Sequence, residues 1–291
     1  LSVAEEFPPP FSFCAIIMYK KGLQNSLNPI HLFDTVEYKH KFDKEHPFYF
    51  KPFGTCIFCG AQGYGKTLSA VQYVINIMKK YPRTVIVSNV AIKSYPFNAY
   101  LDGETIRRLD DDSIVTTESI LYEAENHIDY QPYCLEYTGL DMLKYVCNAE
   151  YGVVFLIDEI HLELNSLESK NIDIEVMVEI SQQRKQRKHI VGTSQIYMRM
   201  AKPLREQIHD IILCRCFFGV LQFNKWIAGD TVVEKNGKIE ADVKGRFLWW
   251  HSPKYYGEYD TFVKMKRYNQ EWQGRKRIDN LYQERSDNNV N

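Results

Sequence analysis

The stretch Gly60-Ala61-Gln62-Gly63-Tyr64-Gly65-Lys66-Thr67 completes the spacing G-x-x-x-x-G-K-[ST], and no other feature constrains this chain as tightly. An apolar run, Thr55 to Cys59, leads into it. Leu68, Val71, Val74, Ile75 and Met78 follow at helical spacing. The expected context is therefore strand, Gly-rich turn, helix. Glycines let backbone N–H groups close around a phosphate chain, and a helix N-terminus adds partial positive charge. In this reading the residues from Gly60 to Leu68 bind ATP. Lys66 reaches the β- and γ-phosphates, and the Thr67 hydroxyl holds Mg²⁺. A chance Gly-rich loop is the bland alternative, and the complete pattern between strand and helix argues against it.

The 291 residues, 45% of them hydrophobic, are ample for one large core. Lys+Arg 36 against Asp+Glu 37 gives a net charge of -1, so any nucleic-acid contact must come from local patches. Seven cysteines form no regular framework. Cys56-x-x-Cys59 has no second C-x-x-C to complete a zinc site, and Cys214-x-Cys216 falls in another expected strand, so reduced, packed thiols are expected. No long uncharged apolar run and no signal-peptide pattern is present, which reads as a soluble, intracellular chain with no integral membrane segment.

The helix after the loop should stop at Tyr81-Pro82, and Thr84 to Ser88 reads as a second, parallel strand. Residues 102–125 read as acidic and mixed, with Asp110-Asp111-Asp112 a solvated loop, and Gly139 to Asn148 as a short helix. Val153 to Ile157 is a continuous apolar run, as in a strand buried on both faces, and ends in Asp158-Glu159. Carboxylates at such a strand tip face the phosphate loop. Asp158 is expected to hold Mg²⁺ and Glu159 to polarise the attacking water. The bland alternative is a surface Asp-Glu pair.

Glu175 to Lys188 reads as a helix with a basic end, His189 to Thr193 as a short strand, and Gln195 as a polar tip that senses the γ-phosphate or caps a turn. Pro203-Leu204-Arg205 opens a further helix, and Ile211 to Cys216 is the next strand. Past Phe217 the texture becomes short and alternating, with a hairpin turn at Lys235 to Lys238. Between Phe247 and Trp272 aromatic residues interleave with Lys264, Lys266, Arg267, Arg275, Lys276 and Arg277. That mixture can track a nucleic-acid backbone or pack on the core beneath a charged surface. The expected organisation is an irregular extension over 1–47, an ATPase core over 48–217, a β-rich appendage over 218–285 and a polar tail over 286–291.

Together these features resemble the FtsK/HerA group of P-loop ATPases, specifically the zonular occludens toxin-like proteins and viral DNA-packaging ATPases of phages. The carriers are Phe53-Gly54-Thr55 before the loop, Ser88-Asn89, Leu156-Ile157-Asp158-Glu159 with His161, Gln182 to His189, Thr193-Ser194-Gln195, Pro203-Leu204-Arg205 and Tyr259-Asp260-Thr261. The resemblance implies an α/β, RecA-like P-loop NTPase core with a mostly parallel, helix-flanked sheet and a small antiparallel C-terminal appendage. It implies ATP and Mg²⁺ as cofactors, a homo-oligomeric ring (hexamer or pentamer), double-stranded DNA as partner, and a viral shell or assembly complex. It implies residence in the host-cell cytoplasm or association with the virion. Motor ATPases of this kind place an arginine against the neighbour's γ-phosphate, for which Arg184, Arg187, Arg205 and Arg215 are candidates, although a basic helix end also favours arginines for its dipole.

Toxin-like proteins of filamentous phages carry a transmembrane helix after the ATPase domain. With no such run in this sequence, packaging of DNA into a preformed shell is the expected role, and assembly or export the alternative. Asp158-Glu159-Ile160-His161 also has the form of a helicase DExH box, but about 100 residues after Gln195 leave no room for a second tandem domain. The same residues also fit a P-loop kinase or a non-motor, ATP-dependent assembly switch.

Overall fold

The computed structural model describes residues 39–127, 129–164, 173–197, 200–235 and 238–259. The polar tail 286–291, the basic residues from Lys264 to Arg277, and most of the extension 1–47 lie outside them.

The chain begins its core with β1 (Gly54–Cys59), the phosphate-loop stretch and α1 (Lys66–Lys80). Helix α1 buries Leu68, Val71, Val74, Ile75 and Met78 on one stripe, places Lys79 and Lys80 in its last turn, and stops at Tyr81 before Pro82. Each large apolar side chain so buried contributes about 1.5–3 kcal/mol as an upper estimate. Then follow β2 (Val85–Ser88), β3 (Ala99–Asp102), β4 (Thr105–Arg108), α2 (Thr117–Asn126), β5 (Cys134–Glu136), α3 (Met142–Tyr145) and β6 (Val153–Ile157). After these come α4 (Ile174–Ser181), α5 (Gln183–Gln186), β7 (Lys188–Ser194), α6 (Lys202–Arg205), β8 (Ile208–Phe217) and β9 (Leu221–Ala228). The described chain closes with β10 (Val233–Lys235), β11 (Lys238–Glu240), β12 (Val243–Trp250) and α7 (Pro253–Tyr256).

Among the described residues, ten strands form one sheet in the order β12-β9-β8-β1-β7-β6-β2-β5-β3-β4. The strands from β8 to β3 run parallel, while β9, β12 and β4 are antiparallel to their neighbours. One face packs α1 against Phe58, Ile86, Val154, Leu156 and Val191. The other packs Met142, Leu143, Val176, Ile180 and Leu204 against Ile57, Val85, Phe155, Ile157 and Ile190. All five residues of β6 are buried, as a strand covered on both faces requires. This is the mostly parallel, helix-flanked sheet expected of a P-loop NTPase.

Several local expectations change. Strand β2 is parallel to β1 but not beside it, since β7 and β6 lie between them. The helix read over Glu175 to Lys188 is two pieces, broken at Gln182, and Arg187 then turns the chain with φ 52°. Lys188, read as part of a solvated basic end, is 1% exposed and donates to Glu179 at 2.9 Å. Only Met142–Tyr145 of the stretch 139–148 is helical. The acidic stretch opens within the β3–β4 hairpin, at the last residue of β3, with Asp110 to Asp112 exposed after the hairpin. Beyond Phe217, β9 and β12 continue the main sheet, and β10 and β11 pair as a separate hairpin whose turn lies outside the described residues.

Candidate functional site

Parallel strands place their C-terminal tips on one edge of the sheet, and loops there bind ligands. Cys59, Ser88, Ile157 and Ser194 end β1, β2, β6 and β7 on that edge, so the loop after β1 meets Asn89, Asp158, Glu159 and Gln195. Gly60 donates its N–H to Ser194 O at 3.3 Å, and a Cβ at Gly60 would stand 2.7 Å from Cys214 O, so only glycine fits this approach. Gly65 has φ 72° and caps α1. Lys66 is buried, with Nζ donating to Ala61 O at 3.3 Å. Tyr64 is exposed at the loop's crest.

Asp158 is held from several directions. Thr67 Oγ1 donates to its Oδ1 at 2.8 Å, and Thr193 Oγ1 donates to the same oxygen at 2.6 Å. Asn89 clamps its backbone, donating from Nδ2 to Asp158 O at 3.1 Å and accepting from Asp158 N at Oδ1 at 2.8 Å. Glu159 follows in the left-handed region (φ 54°, ψ 43°), which costs a non-glycine residue about 1–2 kcal/mol. Its N–H donates to Thr193 Oγ1 at 2.9 Å, its Oε1 accepts from Gln195 Nε2 at 3.4 Å, and His161 Nδ1 lies 3.2 Å from its Oε2. Backbone strain thus turns Glu159 beside Gln195.

Behind the loop, β9 supplies two buried polar side chains. Gln222, 0% exposed, donates from Nε2 to Tyr64 O at 3.0 Å, and its Oε1 lies 3.0 Å from His251 Nε2. Asn224 donates to Ser69 Oγ on α1 at 3.2 Å. A Cβ at Gly65 would lie 2.2 Å from Gln222 Oε1, so a larger residue there would displace the Gln222 side chain and also strain the backbone at φ 72°. Tyr259 lies beside Asp158. Burial and then the Asp158 charge push its phenol up to about 12. Burial drives the Cys59 thiol well above its ordinary range, keeping it neutral at the loop's base, and the described residues include no cluster of three His, Cys, Asp or Glu that would hold a metal.

The structure therefore brings together Gly60 to Leu68, Asp158, Glu159 and Gln195. It separates two of the arginines. Arg184 stacks over Phe53 and Arg187 over Tyr49, both near the start of β1 and so toward the opposite edge, whereas Arg205 lies over the Tyr197 ring, two residues past Gln195. Arg215 is exposed two residues past the β1–β8 pairing that ends at Cys59, on the loop's edge. Sequence reasoning assigned no role to Asn89 or Thr193, although a polar residue at a strand tip was the signal that singled out Asp158. Gln222 and Asn224 carry no such signal, because alternation within Leu221–Ala228 makes them look like a solvent face.

No family model and no curated protein matches the chain. Among solved structures it is similar to the N-terminal domain of zonular occludens toxin from Neisseria meningitidis, at 16% identity over 72% of this chain and 100% of that one, with a TM-score of 0.43. It is also similar to the genome packaging NTPase of Sulfolobus turreted icosahedral virus 2 in complex with AMPPCP, at 13% identity over 56% of this chain and 75% of that one, with a TM-score of 0.37. Strand order, the loop between β1 and α1, and the Thr67–Asp158 contact give this chain the fold of a P-loop NTPase.

Proposed function

We propose that this chain is a Mg²⁺-dependent ATPase whose hydrolysis drives DNA translocation in viral genome packaging. The 2.8 Å hydrogen bond from Thr67 Oγ1 to Asp158 Oδ1 carries the hydrolytic part. A hydroxyl and a carboxylate converging beside a Gly-rich loop at a helix N-terminus fit the hard, oxygen-seeking Mg²⁺ of a nucleotide complex. Thr67 and Asp158 would hold that ion, which would neutralise charge on the phosphates.

The remaining steps belong to the side chains. Amides of Gly60 to Leu68 cradle the phosphate chain, and Lys66 leaves Ala61 O to meet the terminal phosphates. Glu159, turned beside Gln195, accepts the proton of the attacking water. Gln195 bridges that carboxylate and the γ-phosphate position. Arg215, exposed just past the β1–β8 pairing at this edge, is the arginine we assign to act across an interface, where a cation stabilises charge developing in transfer. The DNA-motor part rests on the motif resemblance to the FtsK/HerA group.

The test is steady-state ATP hydrolysis by the purified protein over a concentration series, with double-stranded DNA, single-stranded DNA, RNA or no nucleic acid. Stimulation by double-stranded DNA that steepens with protein concentration supports a ring-forming motor. Hydrolysis indifferent to nucleic acid and to concentration contradicts the motor and returns the kinase and assembly-switch readings.

A further inference from the structure

Side chains alternate across a strand, so the face of β9 opposite Gln222 and Asn224 is set by Leu221, Phe223 and Lys225. The strand register extends that face into three rows: Leu213, Lys225 and Arg246; Arg215, Phe223 and Leu248; Phe217, Leu221 and Trp250. Phe217, Leu248 and Trp250 are 36%, 58% and 68% exposed, where a folded sheet face ordinarily packs its large apolar groups. Arg215 lies over the Phe217 ring at 5.1 Å, confirming their shared face.

The charges on this face are one-sided. Lys225 and Arg246 stand directly opposite each other, and like charges so paired repel. None of the nine positions carries a carboxylate, and among the described residues neither Lys225 nor Arg246 has an ion-pair partner. An anion would relieve this repulsion, and the exposed rings of Phe217 and Trp250, two rows further along the strands, would take flat, apolar faces. The grid spans about 13 Å along the strands and about 10 Å across them.

We propose that the outer face of β8, β9 and β12 binds single-stranded nucleic acid, with Trp250, Phe217 and Phe223 stacking bases and Lys225 and Arg246 meeting phosphates. Unpaired bases offer ring faces to aromatic side chains, whereas a duplex hides them. This face points away from its own phosphate loop, shares Arg215 with the interface proposed above, and is tied to the loop because the inner face of β9 holds Tyr64 O through Gln222.

The test is fluorescence anisotropy of labelled oligo-dT and oligo-U with the full chain, without ATP, across a salt series. Competition with unlabelled duplex of equal length completes it. Wild-type protein is expected to bind the single strands at low salt and to prefer them to duplex. Trp250→Ala should weaken binding about tenfold or more. Lys225→Gln with Arg246→Gln should flatten the slope of log affinity against log salt by about 0.7 per lost phosphate contact. Unchanged thermal melting of the variants and retained binding by Lys66→Ala would separate this site from nucleotide chemistry. Absence of single-strand binding, or wild-type binding by both variants, overturns the proposal. So does a shift in sedimentation caused by Leu248→Asp with oligonucleotide affinity unchanged, which would make this face an interface between copies of the chain.

Discussion

Gln222 Nε2 donates to the Tyr64 carbonyl at 3.0 Å, so a strand from the antiparallel end of the sheet holds the crest of the Gly-rich loop. The same nitrogen donates to Asn224 Oδ1 at 2.8 Å, and Asn224 reaches Ser69 on α1. Loop, helix and β9 therefore form one buried polar network. Gln222→Leu leaves the Tyr64 carbonyl without its donor, which costs about 1–3 kcal/mol. The expected outcome is a lower unfolding midpoint and weaker ATP binding, with kcat at saturating ATP changed less. Calorimetry and a KM-against-kcat comparison check it. Unchanged ATP affinity would show that the loop keeps its shape without β9.

Thr67 and Asp158 make a second prediction, on metal dependence. Thr67→Val keeps the side-chain shape and removes the hydroxyl that points at Asp158 Oδ1. Hydrolysis should fall on the order of a hundredfold or more. Nucleotide affinity in EDTA should stay near wild type, while the gain in affinity on adding Mg²⁺ is lost. Titration calorimetry with and without Mg²⁺ reads both.

His189 makes a pH prediction unconnected with the nucleotide. It is 3% exposed, with Nδ1 at 2.9 Å from Gly54 O and Nε2 at 3.0 Å from Tyr73 Oη. A carbonyl only accepts, so Nδ1 carries the proton and Nε2 accepts from Tyr73. Burial pulls its pKa down from 6.5 to about 4. The unfolded chain then binds the extra proton first, so this contribution is complete above pH 6.5 and is lost as pH falls towards 4, by roughly 3 kcal/mol. Urea unfolding of wild type and His189→Gln across this window should show a steeper acid loss in wild type. Parallel curves would contradict it.

Arg215, exposed on the loop's edge, is the arginine assigned to the interface, which predicts action across subunits. Lys66→Ala and Arg215→Ala should each be inactive alone. Mixed, they should recover part of the hydrolysis, because some interfaces would then pair an intact loop with an intact arginine. If Arg184→Ala, Arg187→Ala or Arg205→Ala complements in this way and Arg215→Ala does not, the assignment moves to that residue.

The candidate site is legible in the sequence because its residues obey local rules. Gly60 to Thr67 match a fixed spacing, and Asp158 and Glu159 end a continuous apolar run. Long-range pairing was not legible. Asn89 and Thr193 become partners of Asp158 only when β2, β6 and β7 align, and no periodicity within one strand encodes that order. Gln222 and Asn224 look like solvent-facing positions of an ordinary alternating strand until β9 is laid beside α1. The break after Ser181 was hidden by a run of good helix formers, whose propensity gives way to burial of Gln183 and Lys188.

The most direct test of hydrolysis at this site compares wild type with Glu159→Gln, measuring ATP affinity and Mg²⁺-dependent turnover on the same preparations. Glu159→Gln keeps the size and the contact with Gln195 but removes the proton acceptor. The prediction is ATP binding near wild type with turnover reduced on the order of a hundredfold or more. Turnover by Glu159→Gln at the wild-type rate, or a wild-type protein that binds Mg-ATP and never hydrolyses it, would contradict the account.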